Sequence, residues 1–147
     1  MKQQPRIIFF GTPFFALKPF EALIKNFSVV AAVTNPDERA GRSQAITPPP
    51  IKVFAEKYRI AILQPRKLPD IADTLRNFHA DAFVVAAYGK IIPKEILDLM
   101  NEQHRLMGEQ HKNIRREMDE MVRLAFEDFG KLSLTFWGED HDNGEDE

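Results

Sequence analysis

The most constraining feature of this sequence is the passage Arg6–Thr34, "RIIFFGTPFFALKPFEALIKNFSVVAAVT". Its first block, Arg6 to Phe10, is apolar almost without interruption and rich in Ile and Phe. Strict alternation would mark a strand wet on one face; an unbroken block suits a strand buried on both. Gly11 stops it, and Pro13 suits a first helical turn, where its missing N–H costs nothing. Phe14, Ala16 or Leu17, Phe20, Leu23 and Ile24 then recur at helical spacing, and Ser28–Thr34 is a second β-branched run. A strand, a helix and a strand in so short a span make a βαβ unit, which requires a right-handed crossover and a parallel sheet.

The alternation continues. Asn35–Pro50 reads as a long loop, broken by Asn35-Pro36-Asp37, Gly41 and Pro48-Pro49-Pro50. Pro50 opens a helix, "IKVFAEKY"; "IAIL" at 60–63 is a third strand; "LPDIADTLRNF" is a helix from Pro69 or Asp70; "AFVVAAY" at 82–88 is a fourth buried strand ended by Gly89; Pro93 opens "KEILDLM". The pattern predicts a doubly wound, mostly parallel, Rossmann-like α/β sheet with ligands at the carboxyl ends of its strands. After Leu99 the strand pattern stops. Ile114, Met118, Met121, Val122, Ala125 and Phe129 share one helical face, so 111–129 is expected to be an amphipathic helix ended by Gly130, a surface for self-association or a partner helix. "LSLTF" is a candidate short strand and the acidic end "GEDHDNGEDE" is expected to be disordered. The expected organisation is a partial α/β domain over 1–99, a helical extension with one short strand over 100–136, and an acidic tail over 137–147. A sheet left incomplete in this way exposes a strand edge and apolar helix faces.

Composition narrows the chemistry. The 147 residues, 44 % apolar, suffice for one domain. The net charge of −2 is not that of a globally basic nucleic-acid binder, yet residues 39–67 are rich in Lys and Arg. No cysteine is present, which excludes disulfides, thiolate metal sites and a cysteine nucleophile. Lys2 and Arg6 precede an apolar run that Gly11-Thr12-Pro13 interrupts, unlike a signal peptide, and no stretch approaches the roughly 18 apolar residues of a membrane span; a cytoplasmic protein is expected.

Three stretches are candidates for function. Gly11-Thr12-Pro13 joins a strand to a helix start, where free N–H groups suit an anion, but one glycine satisfies neither G-x-G-x-x-G nor a P-loop, so a structural turn is favoured. In the loop, Arg39 and Arg42 flank Gly41, with Lys52 just beyond; arginines on such a loop can pair with phosphates and stack on bases, or simply be solvated. Ala86-Ala87-Tyr88-Gly89 ends a strand at the expected ligand edge, where small residues let a flat ring approach the backbone or pack under a helix. His79, His104, His111 and His141 lie beside no sequence nucleophile and in no metal-ligand pair; no metal is expected.

"IIFFGTPFFA", "VVAAVTNPDERAGR", "TPPPIKVFAEKYRIAILQP" and "ADAFVVAAYGKIIPKEIL", in this order, resemble the amino-terminal half of the formyl-transfer domain of the methionyl-tRNA formyltransferase family, over residues 6–98. The resemblance implies formyl transfer from 10-formyltetrahydrofolate to the amino group of methionyl initiator tRNA in translation initiation. It implies that Gly11, Thr12 and Pro13 shape the substrate cleft and that Ala86, Ala87, Tyr88 and Gly89 border the folate pocket. It implies that Arg39 and Arg42, with Lys52, belong to a loop that approaches the acceptor stem. In that family the helix at "PKEIL" leads to a strand with Asn-x-His, then Ser-Leu-Leu-Pro and a later Asp, which polarise the formyl carbonyl and move protons. Here "NEQH" at 101–104 has different spacing and no Ser-Leu-Leu-Pro follows. The chain is therefore expected to be a truncated or fused copy lacking that catalytic set, with a non-catalytic tRNA- or folate-binding module as the alternative.

Overall fold

The computed structural model describes residues 5–106, 116, 117, 120 and 134–137. Strand β1 (Arg6–Gly11) leads through a 3-10 turn at Phe14–Ala16 into helix α1 (Leu17–Asn26) and strand β2 (Ser28–Val33). A hairpin of β3 (Glu38–Ala40) and β4 (Ala45–Thr47) precedes α2 (Pro50–Lys57) and β5 (Ala61–Leu63). A 3-10 turn at Leu68–Ile71 opens α3 (Ala72–Asn77), followed by β6 (Ala82–Ala86), α4 (Lys94–Leu106) and β7 (Leu134–Trp137).

The main sheet has the order β5-β2-β1-β6-β7. The first four strands are parallel, with Phe10 opposite Val33, Val33 opposite Leu63, and Gly11 opposite Ala86. β7 runs antiparallel along β6, with Leu134 opposite Ala86 and Trp137 opposite Phe83. The side of β6 that an incomplete parallel sheet would leave open is thus paired with the chain's own backbone.

Both faces of the sheet are covered, which explains the unbroken apolar block in β1. Ile7 and Phe9 point to one face, where they pack with Phe20 and Leu23 of α1 and Ile51 and Ala55 of α2. The Phe9 and Phe20 rings stack with centroids 4.7 Å apart. Ile8 and Phe10 point to the other face, against Leu75 of α3 and Ile96, Leu99 and Met100 of α4. Connections moving from β1 towards β5 run over the first face, and the return from β5 to β6 runs over the second. This is the doubly wound arrangement expected from the sequence.

Several details differ from expectation. The 35–50 loop contains the β3/β4 hairpin, in which Glu38 pairs with Thr47 and Ala40 with Ala45. Its turn is made by Gly41 at φ 70° and Gln44 at φ 52°, left-handed conformations that let the chain reverse. β6 ends at Ala86 rather than at residue 88, because Ala87 takes φ 55° and leaves the sheet. α3 begins only after the 3-10 turn, and α4 continues past Leu99 to Leu106. The expected amphipathic helix over 111–129 lies outside the described residues except for Arg116, Glu117 and Glu120, which are helical and exposed. Of the acidic tail expected over 137–147, Trp137 is instead the last residue of β7, and 138–147 lie outside the described residues. No helix among the described residues is long and apolar enough to cross a membrane.

Candidate functional site

In a doubly wound sheet, ligands collect where neighbouring strands send their connections to opposite faces. Here that point lies between the carboxyl ends of β1 and β6. Gly11 and Ala86 face each other at that end in register. A Cβ on Gly11 would stand 3.0 Å from the Ala86 carbonyl oxygen and 2.7 Å from Cε1 of Phe9, so the close approach of these two ends requires glycine. The cleft and folate-edge stretches expected from the sequence, some 76 residues apart, therefore meet: Thr12 Oγ1 donates to the Tyr88 carbonyl at 3.0 Å.

The residues after β6 fold back as a strap across the tops of β1, β2 and β5. The left-handed φ of 55° at Ala87 starts the reversal. For a residue with a Cβ this conformation costs about 1–2 kcal/mol, so bonds further along the strap must hold it. The Tyr88 carbonyl accepts from Thr12 and, at 3.4 Å, from Asn35 Nδ2. Lys90 Nζ donates to the carbonyls of Pro65 at 3.4 Å and Arg66 at 3.3 Å, just beyond β5. Gly89, at φ 83°, passes close to the Asn35 amide, which a Cβ there would meet at 3.6 Å.

The Tyr88 ring does not line the edge it follows. It is buried in the α3/α4 core, edge-on to Phe10 at 5.6 Å. Its hydroxyl has no hydrogen-bond partner among the described residues, and burial pushes its pKa up to about 12. The carbonyl of Tyr88 serves the strap while its ring serves the core.

A second set of polar groups surrounds the end of β2. The backbone N–H of Asn35 and the Thr34 hydroxyl both lie within reach of Thr12 Oγ1, at 3.4 and 3.5 Å. Gln64 Nε2, at the end of β5, donates to the Asn35 carbonyl at 3.1 Å and to Asp37 Oδ1 at 2.7 Å. Lys52 Nζ of α2 grips both oxygens of Asp37, at 3.0 and 3.2 Å. The Gln64 bond first, and Lys52 second, hold the Asp37 carboxyl below its ordinary pKa. Lys52, expected beside the arginines, thus sits on α2 with a carboxylate partner, whereas Arg39 and Arg42 project on the exposed hairpin. Arg39 pairs in register with Ile46, which is 68 % exposed, so a cation and an apolar side chain share one hairpin face.

The sequence gives Thr34, Gln64 and Lys90 no separate role, and Asn35 and Asp37 read there as loop breakers and as part of the stretch that resembles the family, not as site residues. The rule that ligands gather at carboxyl ends of parallel strands would have flagged Thr34, Asn35 and Gln64, which follow β2 and β5 within two residues, but not Asp37 or Lys90. Pro13 is extended (φ −77°, ψ 167°) and precedes the 3-10 turn. His79 stands in the turn before β6, at the amino end of the sheet, away from the crevice. Among the described residues no cluster of three His, Cys, Asp or Glu could hold a metal. The arrangement offers hydroxyl, amide and backbone groups on a stiff rim, with cations on an exposed arm. It suits binding a flat polar molecule beside a larger anionic one.

The fold defines a doubly wound α/β domain in which the stretches flagged from the sequence meet at the carboxyl ends of β1 and β6. A sequence model described as formyl transferase matches residues 5–106, and the chain belongs to the formyl transferase family. It is 44 % identical over 98 residues to the methionyl-tRNA formyltransferase of Thermosynechococcus vestitus, covering 63 % of this chain and 30 % of that protein. Over 97 residues it is 46 % identical to that of Desulforamulus reducens, covering 64 % and 31 %. Over 98 residues it is 45 % identical to that of Myxococcus xanthus, covering 65 % and 31 %. The chain spans 30–31 % of the length of these curated relatives.

Proposed function

We propose that this chain carries the donor- and tRNA-facing part of a methionyl-tRNA formyltransferase, a cytoplasmic enzyme of translation initiation. Its formyltransferase unit reaches past the expected boundary at 99, through α4 to Leu106, and takes β7 onto the edge of its sheet. In this reading the ring of 10-formyltetrahydrofolate lies along Ala86–Gly89, where side chains are small, and Gly11, Thr12 and Pro13 form the cleft floor. Arg39 and Arg42 meet the phosphates of the methionyl initiator tRNA, and the Ile46 side of the hairpin offers an apolar contact. The observation that carries the reading is the Thr12–Tyr88 hydrogen bond, which joins two of the stretches that resemble the family at the switch point of the sheet, where ligands of doubly wound folds commonly bind.

The test is to titrate the purified chain with 10-formyltetrahydrofolate and with methionyl initiator tRNA, and to assay formylation in parallel. Both ligands should bind, and Arg42→Ala should weaken only the tRNA. A chain that binds neither refutes the reading. Formylation itself should be slight, because the sequence carries no Asn-x-His with Ser-Leu-Leu-Pro. A non-catalytic binding module is the second reading, favoured by the missing Asn-x-His and Ser-Leu-Leu-Pro in the sequence and by the position of His79 at the far end of the sheet from the crevice. Formylation well above background by the pure chain would decide for the enzyme.

A further inference from the structure

The hairpin that bears Arg39 and Arg42 is nearly detached from the domain. Residues 37–48 are all exposed, and among the described residues β3 and β4 pair only with each other. A two-stranded hairpin on its own is marginally stable, so the direction in which it points depends on how its base is tied. At the outgoing end the chain enters α2 through the rigid Pro48-Pro49-Pro50. At the incoming end Asp37 immediately precedes β3, and one carboxylate takes three bonds: two from Lys52 of α2, at 3.0 and 3.2 Å, and one from Gln64 at the end of β5, at 2.7 Å. Those bonds tie the hairpin base to a helix and to the strand edge together. Gln64 also holds the Asn35 carbonyl, two residues earlier, so the whole approach to the hairpin is fixed against the crevice rim.

Lys52 differs from the two arginines in what its charge faces. Its side chain is only 24 % exposed and its ammonium is matched by the Asp37 carboxylate. Neither Arg39 nor Arg42 has a carboxylate partner among the described residues. A cation already neutralised by a neighbouring anion displaces few counterions from a nucleic acid, whereas an unmatched one displaces its full share. We propose that Asp37 and Lys52 are a positioning pair: they set the direction of the arginine hairpin relative to the crevice, and Lys52 acts on an RNA partner through that hairpin without touching phosphate. The part concerning RNA rests on the tRNA reading above; the anchoring of the hairpin does not.

Two measurements on the full chain separate these. The first is amide hydrogen exchange over residues 38–47. Asp37→Asn and Lys52→Met should each speed exchange there several-fold and leave the β1 and β6 amides unchanged, while Arg42→Ala should not. The second is binding of methionyl initiator tRNA from about 50 to about 200 mM salt; Arg42→Ala should flatten the dependence of log K on log salt by about 0.9, one phosphate. Lys52→Met should weaken binding with the slope unchanged, and the charge-exchanged pair Asp37→Lys with Lys52→Asp should restore both hairpin protection and affinity. Unchanged exchange in both single variants would overturn the anchoring. A slope for Lys52→Met as flat as that for Arg42→Ala would overturn its indirect role. If the wild-type chain fails to bind tRNA, the functional reading falls, and the exchange measurement still decides whether Asp37 and Lys52 hold the hairpin.

Discussion

Replacing Gly11 by alanine tests whether the approach of β1 to β6 builds the crevice. Three atoms crowd the new methyl group: Phe9 Cε1 at 2.7 Å, Phe9 Cζ at 3.0 Å and the Ala86 carbonyl oxygen at 3.0 Å. The first two belong to a side chain, but one that is fully buried and stacked on Phe20, so the ring has nowhere to swing without disturbing α1. The third is backbone of the neighbouring strand, in register with Gly11, and moves only if the strand ends part. Ordinary contact needs a few tenths of an ångström more at the two 3.0 Å approaches and roughly twice that at Phe9 Cε1. Overpacking of this kind costs about 1–3 kcal/mol, and for a folded unit of this size about 2 kcal/mol lowers Tm by roughly 8–16 °C.

The assay is urea unfolding followed by tryptophan-independent far-UV circular dichroism, with the m value compared between variants. The midpoint should fall while m stays constant. Phe9→Leu, made alone and together with Gly11→Ala, apportions the effect. If the ring is the main obstacle, the double variant loses less than the sum of the singles; if the Ala86 carbonyl dominates, the losses add. A Gly11→Ala protein that melts within a degree or two of wild type would refute the close packing of β1 on β6, and with it the geometry assigned to the crevice.

Thr12→Val removes the donor to the Tyr88 carbonyl and strips the fully buried Thr34 hydroxyl of its neighbour; it should cost about 1–2 kcal/mol by chemical unfolding, with Thr12→Ser losing much less. Tyr88→Phe deletes an orphaned hydroxyl and should raise stability at neutral pH by about 1 kcal/mol, read as a Tm gain. The same variant tests the titration of Tyr88. The folded pKa of about 12 exceeds the ordinary 10, so the unfolded chain loses this proton first and stability falls as pH rises from 10 to 12. The wild type should lose about 2 kcal/mol relative to Tyr88→Phe across that window, and parallel curves for the two proteins would contradict the assignment. Leu75→Ala empties a fully buried position under α4 and should cost about 3 kcal/mol by urea unfolding.

The sheet was legible because its physical demand is local and repetitive. A strand covered on both faces must be apolar at every position, and Ile7 to Phe10, Ala31 to Val33 and Ala82 to Val84 satisfy that without reference to anything distant. Gly11 and the 86–89 stretch were legible as strand ends, so the position of the crevice followed from the alternation of elements. The hairpin was not, because Glu38–Ala40 and Ala45–Thr47 are fully exposed and show no apolar alternation; left-handed turn residues make it, and Gln44 does not advertise one. Nor does Ala87 announce that it will leave the sheet, since alanine ordinarily favours right-handed helix. The Asp37 clasp joins residues 15 and 27 positions apart, on three different elements, and no spacing rule reaches that far.

The two sides of the crevice differ in stiffness, and the difference follows from how each is bonded. The strap stores the left-handed strain of Ala87, about 1–2 kcal/mol. Opposing that strain are two hydrogen bonds on the Tyr88 carbonyl, two from the Lys90 ammonium and the burial of the Tyr88 ring against Phe10. At about 1 kcal/mol per net hydrogen bond these outweigh it, so the rim keeps one shape, as recognition of a small planar ligand requires. The hairpin stores no comparable contacts: it has a stiff proline exit, an exposed body and a single carboxylate at its entrance. Such an arm is aimed by Asp37 but not frozen, and it can follow a partner much larger than the crevice. On the function proposed above, the fixed rim would hold the small donor in one pose and the steered arm would meet the bulky acceptor.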